Sequence, residues 1–482
     1  MPADEQLALT AAQALDAMRS GRLSAEAYMT TLIARAQSQS ALNALIVLDA
    51  DAALAAARAI DTQRAAGAAL PPLAGLPILV KDNINTAGLP TTGGTSALRD
   101  VRPAANAPSL QRLIDAGAIV LGKANLHELA FGITSTNLTS FAGAVKNPYD
   151  TSRIPGGSSG GTAAAIAARI APAGLGTDTG GSTRVPAALC GIAGLRPSVG
   201  NGGAQRRYDD AGAVVPISHT RDTIGPMART VADLALLDAA ITGRAVAAPI
   251  GLQGLRIGIP ASFWTGLDTQ VAAVMIAGRS RLAAAGVVFV EVDLSGLFDL
   301  NDQVSFQVAL HEPIADIPAY LAATGVSGIT LADIAAGVAS PDVKGAFGAI
   351  LADAFGAAYP DAMQVHRPAM QALYAAYFSD HALDAAMFPT TVLPAVAIDQ
   401  VNGSSTVSIN GGPAVDEFGA YIRNTDPGSN AGIPGLSLFA GMTADGLPVG
   451  LELDGPLGSD QKLLAIGMAI EAVLGSAPAP AL

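Results

Sequence analysis

Two glycine-rich tracts hold the residues whose types and spacing could do chemistry. The first reads Pro155-Gly156-Gly157-Ser158-Ser159-Gly160-Gly161-Thr162. The second reads Gly176-Thr177-Asp178-Thr179-Gly180-Gly181-Ser182-Thr183-Arg184-Val185-Pro186. Glycines at this density let backbone N–H groups approach a reacting atom without side-chain obstruction. A serine directly after Gly180-Gly181 sits among exposed backbone donors, which is what an oxyanion hole requires. Flexible Gly/Ser linkers share this composition. Here, however, the tracts flank an alanine-rich helical run, and Asp178 and Arg184 are fixed within the second.

Other short motifs compete and fail on their context. Gly157-Ser158-Ser159-Gly160-Gly161 matches a nucleophile elbow centred on Ser159, a reading that needs an Asp and a His downstream in order. His219, His311, His366 and His381 lie in no motif of that kind. Gly117 to Lys123 nearly spells a phosphate loop, but Ala124 stands where Ser or Thr is required, and Ala118–Leu121 reads as a strand. His127-Glu128 lacks a second histidine four positions on, so it is not a zinc site. Ser459-Asp460-Gln461-Lys462 matches Ser-x-x-Lys, but it reads as the start of a helix. With five scattered histidines and one cysteine, Cys190, neither metal nor cofactor is expected.

The elements that must position these tracts are strands alternating with helices. Apolar spacing predicts helices over 5–19 and 25–37, the second capped by Ser24, then a strand at Ala44–Leu48 and an alanine-rich helix over 51–67. Short apolar, β-branched runs at Leu76–Val80, Ala118–Leu121 and Val287–Val292 alternate with helical patterns over 109–116, 230–242 and 269–285. That alternation predicts a parallel or mixed sheet covered on both faces. Between 305 and 380 the strand signals stop. This run of helices carries Tyr320, Phe347, Tyr359, Tyr374, Tyr377 and Phe378, and is expected to cover the cleft as a substrate lid; the same aromatics would equally serve to fill a helical core. Strands return at Ala386–Phe388 and Leu447–Leu453, and a helix closes the chain over 461–474.

With these blocks in order, the chain resembles the amidase-signature hydrolases. The resemblance rests on Gly156–Pro186, on Leu79-Val80-Lys81-Asp82-Asn83 upstream, and on Cys190-Gly191-Ile192-Ala193-Gly194-Leu195-Arg196-Pro197 downstream. Asp222–Thr230 and Asp445–Leu451 add looser matches. The interval 182 − 158 = 24 is the one this family keeps between its two catalytic serines. The resemblance implies a single α/β/α domain with a central mixed, twisted sheet. Residues 1–67 would form a helical N-terminal segment on the core, and 68–482 the catalytic domain with 305–380 as its lid. It also implies a Ser–cis-Ser–Lys triad of Ser182 (nucleophile), Ser158 (bridge, after a cis peptide) and Lys81 (base). A lysine is basic enough to be deprotonated at neutral pH only if its ammonium form is destabilised by burial, and Lys81 follows an apolar strand. The oxyanion donors would be the N–H groups of Thr179, Gly180, Gly181 and Ser182. Asp178 and Arg184 would pin the glycine loop as a charge pair, Ser159 would join the same network, and Asn83 would support Lys81. Phe131 and Ile133 would line the substrate cavity.

Arg153–Gly156 and Ser218–Thr223 look most like the indoleacetamide and mandelamide hydrolase branch, which points to aryl or arylalkyl amides. Relatives also cleave anilides, esters and carbamates, so urethanase activity is a variant of the same expectation. A transamidation subunit acting on charged tRNA shares the core, but nothing in the chain marks a partner surface. A catalytically silent copy would ordinarily lack a triad member, and all three are present. The 482 residues carry a formal net charge of 27 − 40 = −13, which disfavours nucleic-acid binding. The acidic N-terminus and the interrupted apolar runs predict no membrane association and a cytoplasmic location. The expected partner is a small-molecule amide or carbamate. Homodimers are common among relatives, though no interface is marked in the sequence.

Overall fold

The structure is a computed structural model describing residues 1–482. Its strands are β1 (Leu45–Leu48), β2 (Pro77–Lys81), β3 (Ile119–Ala124), β4 (Ala173–Asp178), β5 (Ala193–Arg196), β6 (Thr223–Ala228), β7 (Arg256–Ile259), β8 (Val288–Glu291), β9 (Ala385–Pro389), β10 (Thr406–Ser408), β11 (Ala414–Asp416), β12 (Gly435–Met442) and β13 (Pro448–Asp454). Eleven of them form one mixed sheet in the order β1-β3-β2-β4-β6-β5-β12-β13-β9-β7-β8, while β10 and β11 pair as a separate hairpin. The expected single α/β domain with a helix-flanked mixed sheet is therefore the fold of this chain.

Position in the sheet explains the composition of its middle. β4 lies between β2 and β6, parallel to the first and antiparallel to the second. Its small residues are required by close neighbours. A Cβ on Gly176 would stand 2.7 Å from Ser159 Oγ and 2.8 Å from Met227 Sδ. The helix Gly160–Ala167, buried throughout and built from Gly, Ala, Thr and Ile, packs on the same strand. Because β2 and β4 run parallel, their C-terminal ends, Lys81 and Asp178, open on one edge of the sheet, where open α/β sheets place their sites.

Most of the expected elements fall within a few residues of their predicted bounds, and the differences have local causes. The single helix expected over 5–19 is two, Ala3–Ala8 and Ala11–Arg19. Thr10 and Gln13 form a reciprocal capping box that starts the second one afresh. Residues 425–445, for which the sequence predicts no element, supply the helix Asp426–Ala431 and the central strand β12. Residues 1–67 do not stand apart: Leu15, Met18, Tyr28 and Leu32 belong to the main hydrophobic core, and β1 is an edge strand of the sheet. The segment 305–380 is helical as expected. Its aromatics, however, mostly face inward. Tyr320 and Phe347 fill one small core, and Tyr374, Tyr377 and Phe378 fill another. No helix is long and apolar enough to cross a membrane.

Candidate active site

Lys81 is the last residue of β2 and is completely buried. Its Nζ donates to Ser158 Oγ at 2.7 Å and to Thr177 Oγ1 at 2.8 Å. Burial pushes the ammonium group down to about 7, against the opposing pull of Asp178 and Asp222. Asn83 reaches Lys81 only at one remove, donating to the same Thr177 hydroxyl at 3.0 Å. Thr177, on β4, is thus the common acceptor that orients both side chains. Sequence reasoning gave it no role, although it lies inside the second tract.

Ser158 follows a cis peptide bond from Gly157. Its carbonyl accepts His127 N–H at 3.1 Å and Ser135 Oγ at 3.3 Å. The two tracts are joined where Ser159 N–H donates to the Ser182 carbonyl at 3.1 Å. Ser159 Oγ itself is tied to the backbone of Thr177, at 3.2 Å to the carbonyl and 3.3 Å from the N–H. It is fully buried, so the elbow reading of Ser159 has no geometry to support it. Ser182 differs in that it lines the cavity and its hydroxyl donates to no protein group. No hydrogen bond joins the Ser158 and Ser182 hydroxyls in this structure.

The loop from Thr179 to Ser182 is held from beneath by Asp178. Its carboxylate accepts Gly181 N–H at 2.9 Å, Thr183 N–H at 3.1 Å and Thr183 Oγ1 at 2.9 Å. It also pairs with Arg184 at 3.0 Å and Arg196 at 3.2 Å, all three side chains being fully buried. Burial alone would raise Asp178, but the two guanidinium groups outweigh it and hold the carboxyl far below its ordinary value. Arg184 also reaches Glu452 at 2.9 Å on β13. Asp178 and Arg184 thus form a buried pair directly beneath the loop. One expectation is corrected. Gly181 N–H is committed to Asp178, and Gly181 does not line the cavity, so it is not a free oxyanion donor. The N–H groups of Thr179, Gly180 and Ser182 bond no protein group, and all three residues line the cavity.

That cavity has a volume of about 480 Å³. Phe131 and Ile133 line it as expected, joined by Phe306, Leu310, Phe418 and Ile422. Two of its carboxylates have a cationic or imidazole partner: Asp426 meets Arg221, and Asp342 lies 3.0 Å from His127 Nε2. His127-Glu128 thus joins the 125–135 loop to the helical segment. Glu128 accepts Ala339 N–H at 3.1 Å and Ser340 N–H at 2.8 Å, at the start of the helix Pro341–Leu351. Arg221, Asp426 and Phe306 were given no role from sequence. Asp426 lies 205 residues from its partner, and no spacing rule spans such a distance.

A strand-end lysine thus lies buried against a serine, beside a second serine in a ring of backbone donors that bond no protein group. The profile of the amidase family matches residues 27–464, and the chain belongs to that family, the amidase-signature hydrolases that act on amides. An indoleacetamide hydrolase of Agrobacterium vitis is 44% identical over 464 residues, covering 95% of this chain and 96% of its own. A mandelamide hydrolase of Pseudomonas putida is 40% identical, covering 98% of this chain and 93% of its own. Among solved structures, the native peptide amidase of Stenotrophomonas maltophilia superposes with a TM-score of 0.80 at 30% identity, covering 98% of each chain.

Proposed function

We propose that this chain hydrolyses neutral aryl or arylalkyl carboxamides to the carboxylic acid and ammonia through an acyl-enzyme formed on Ser182. The observation that carries the reading is the buried Lys81 Nζ, 2.7 Å from Ser158 Oγ, beneath a cavity that opens at Ser182. Lys81 in its neutral form takes the Ser158 proton, and Ser158 takes that of Ser182 as its Oγ bonds to the carbonyl carbon. This requires the Ser158–Ser182 hydrogen bond to close once substrate is bound. The developing oxyanion accepts from the N–H groups of Thr179, Gly180 and Ser182. The proton returns through Ser158 to the leaving nitrogen as the C–N bond breaks. Water then adds to the acyl carbon, passes its proton along the same relay, and frees the acid and Ser182.

The mostly apolar wall, with Asp426 paired to Arg221, supports a neutral, aromatic acyl group. The aryl substrates in the names of the indoleacetamide and mandelamide hydrolases point the same way. Esters and carbamates present the same acyl carbon, so aryl carbamates are proposed as slower substrates of the same site. The test is turnover of an arylacetamide, an anilide, a nitrophenyl ester and an aryl carbamate by the protein and by Ser182→Ala. The arylacetamide should rank first, and Ser182→Ala should lose at least about 10⁴-fold in kcat. Activity retained by Ser182→Ala would remove Ser182 as the nucleophile. A carbamate ranked first would make the enzyme a urethanase.

A further inference from the structure

Beside the oxyanion loop lies an ion pair that the reaction steps above do not use. Arg221 Nε and Nη2 donate to the Thr179 carbonyl at 3.2 and 3.1 Å, Nη1 donates to the Ser305 carbonyl at 3.1 Å, and Nη2 also meets Asp426 Oδ1. Both side chains are nearly inaccessible, yet both residues line the cavity. Asp426 Oδ2 accepts Asn301 Nδ2 and Asn430 Nδ2, each at 3.0 Å, so the carboxylate is fixed from behind. A Cβ on Gly180 would stand 2.9 Å from Asp426 Oδ1 and 3.2 Å from Arg221 Nη2, so the pair lies directly against the loop.

We propose that Arg221 is a positioning residue for the oxyanion hole, orienting the Thr179–Gly180 peptide and cancelling the charge of Asp426 where negative charge develops. The inference rests on the acyl-enzyme reading above. In a planar trans peptide the C=O and N–H point in opposite directions. The guanidinium fork on the Thr179 carbonyl therefore holds Gly180 N–H, which bonds no protein group, pointing from the opposite edge of that peptide. The next peptide is fixed independently, since Thr425 Oγ1 donates to the Gly180 carbonyl at 2.7 Å and Gly181 N–H is taken by Asp178. Arg221 is thus the group that sets the one middle peptide whose N–H remains free. It also holds a cation beside a carboxylate that would otherwise oppose the oxyanion. Removing one partner of such a buried pair leaves the other uncompensated.

The experiment is steady-state kinetics on an arylacetamide for the protein, Arg221→Gln, Asp426→Asn, the double variant, Arg221→Lys and Ser182→Ala. Thermal unfolding and the inhibition constant of an arylalkyl boronic acid are measured alongside. The boronate adduct on a serine is tetrahedral and anionic, so it reports the hole without turnover. Arg221→Gln should lose about a hundredfold in kcat with KM changed less than about threefold, and boronate affinity should fall in parallel. Adding Asp426→Asn to Arg221→Gln should recover at least about tenfold in both kcat and boronate affinity beyond what any change in the unfolding midpoint accounts for, the part of the recovery that a purely structural pair does not give. A double variant no better than Arg221→Gln overturns the inference while leaving Ser182 as nucleophile. An active Ser182→Ala overturns both readings. Should Arg221→Gln not fold, Arg221→Lys decides: loss of about tenfold in kcat at constant KM supports the fork, and full activity overturns it.

Discussion

The glycine–serine core and the helical segment 305–380 enclose one cavity, but they are held by different forces. Beneath the Thr179–Ser182 loop, Asp178, Arg184, Arg196 and Glu452 form a charge network with no solvent contact. The carbonyls of Thr179, Gly180 and Ser182 are each tied, to Arg221, Thr425 and Ser159. The helical segment instead packs in small cores, with Ile317, Tyr320 and Phe347 against Leu98, Leu129 and Val215, and Tyr374 and Phe378 against Phe263 and Phe388, and meets the loop 217–222 through polar straps. Glu312 accepts the Ser218 and Thr220 hydroxyls, and Asp316 meets His219 at 3.0 Å on the surface. It also leaves Phe306 and Leu351 about half exposed. The difference teaches that the geometry of the glycine–serine core is over-determined, whereas the helical wall of the cavity can change without disturbing it.

The largest effect should follow from the core. Lys81→Met should lower kcat at least about 10³-fold while KM moves little, because the relay then ends without a base. Burial brings Lys81 down to about 7, so its neutral, proton-accepting form predominates above that pH. In the unaltered protein kcat/KM should therefore rise about tenfold per pH unit below 7 and level off above it, and Lys81→Met should lose that limb. A flat profile in the unaltered protein would show that Lys81 is not the group titrating. Arg184→Leu tests the support beneath. It leaves the Asp178 and Glu452 carboxylates buried with less cationic compensation, and should cost about 3–5 kcal/mol. The check is the urea midpoint, with full-length protein and unchanged conditions.

How much of this could be read beforehand depended on whether the signal was local. Ser158, Ser182, Lys81, Asp178 and Arg184 fall inside short blocks; the structure joins Lys81 to Ser158 and Asp178 to Arg184, and leaves the Ser182 hydroxyl facing the cavity. Elements with periodic apolar residues, such as the helix Val231–Thr242, were found within a residue. β4 escaped because Ala173-Gly174-Leu175-Gly176-Thr177-Asp178 carries no β-branched alternation; its small residues answer to Ser159 and Met227, which only the fold brings near. β12 escaped for a similar reason, and its Gly435 lies against Arg184 and Glu452. The free donors could not be separated from the bound one, because whether Gly181 N–H is spent on Asp178 depends on backbone direction. For the aromatics of 305–380 the sequence leaves lid and helical core as equal readings, since helices of mixed composition leave their facing undecided, and the structure puts Tyr320, Phe347, Tyr374, Tyr377 and Phe378 in cores.

Changes to the wall should be smaller and of another kind. Phe306 lines the cavity with 44% of its surface still accessible, and its ring lies 6.2 Å from that of Phe418. Phe306→Ala should raise KM for an arylacetamide about three- to tenfold through lost apolar contact, and should narrow the preference for aryl over alkyl acyl groups. kcat should stay within about twofold. A loss confined to kcat would break the comparison, because it would place this segment in the chemistry rather than in substrate binding.

The smallest effect sharpens the same comparison from inside the segment. Tyr320 is buried, does not line the cavity, and donates its hydroxyl to Asn85 Oδ1 at 2.7 Å, which ties the helix Pro313–Ala323 to the loop after β2. Tyr320→Phe keeps the ring and deletes that bond, leaving the buried Asn85 oxygen without its donor. The expected cost is about 1–2 kcal/mol in stability, measured as a lower urea midpoint. Kinetic constants for the arylacetamide should be unchanged within about twofold, because the ring still fills its core with Ile317 and Phe347. If instead KM rose as far as in Phe306→Ala, the inward-facing aromatics would be governing the shape of the wall. The helical segment would then have to be counted as part of the binding site throughout its depth rather than only at its surface.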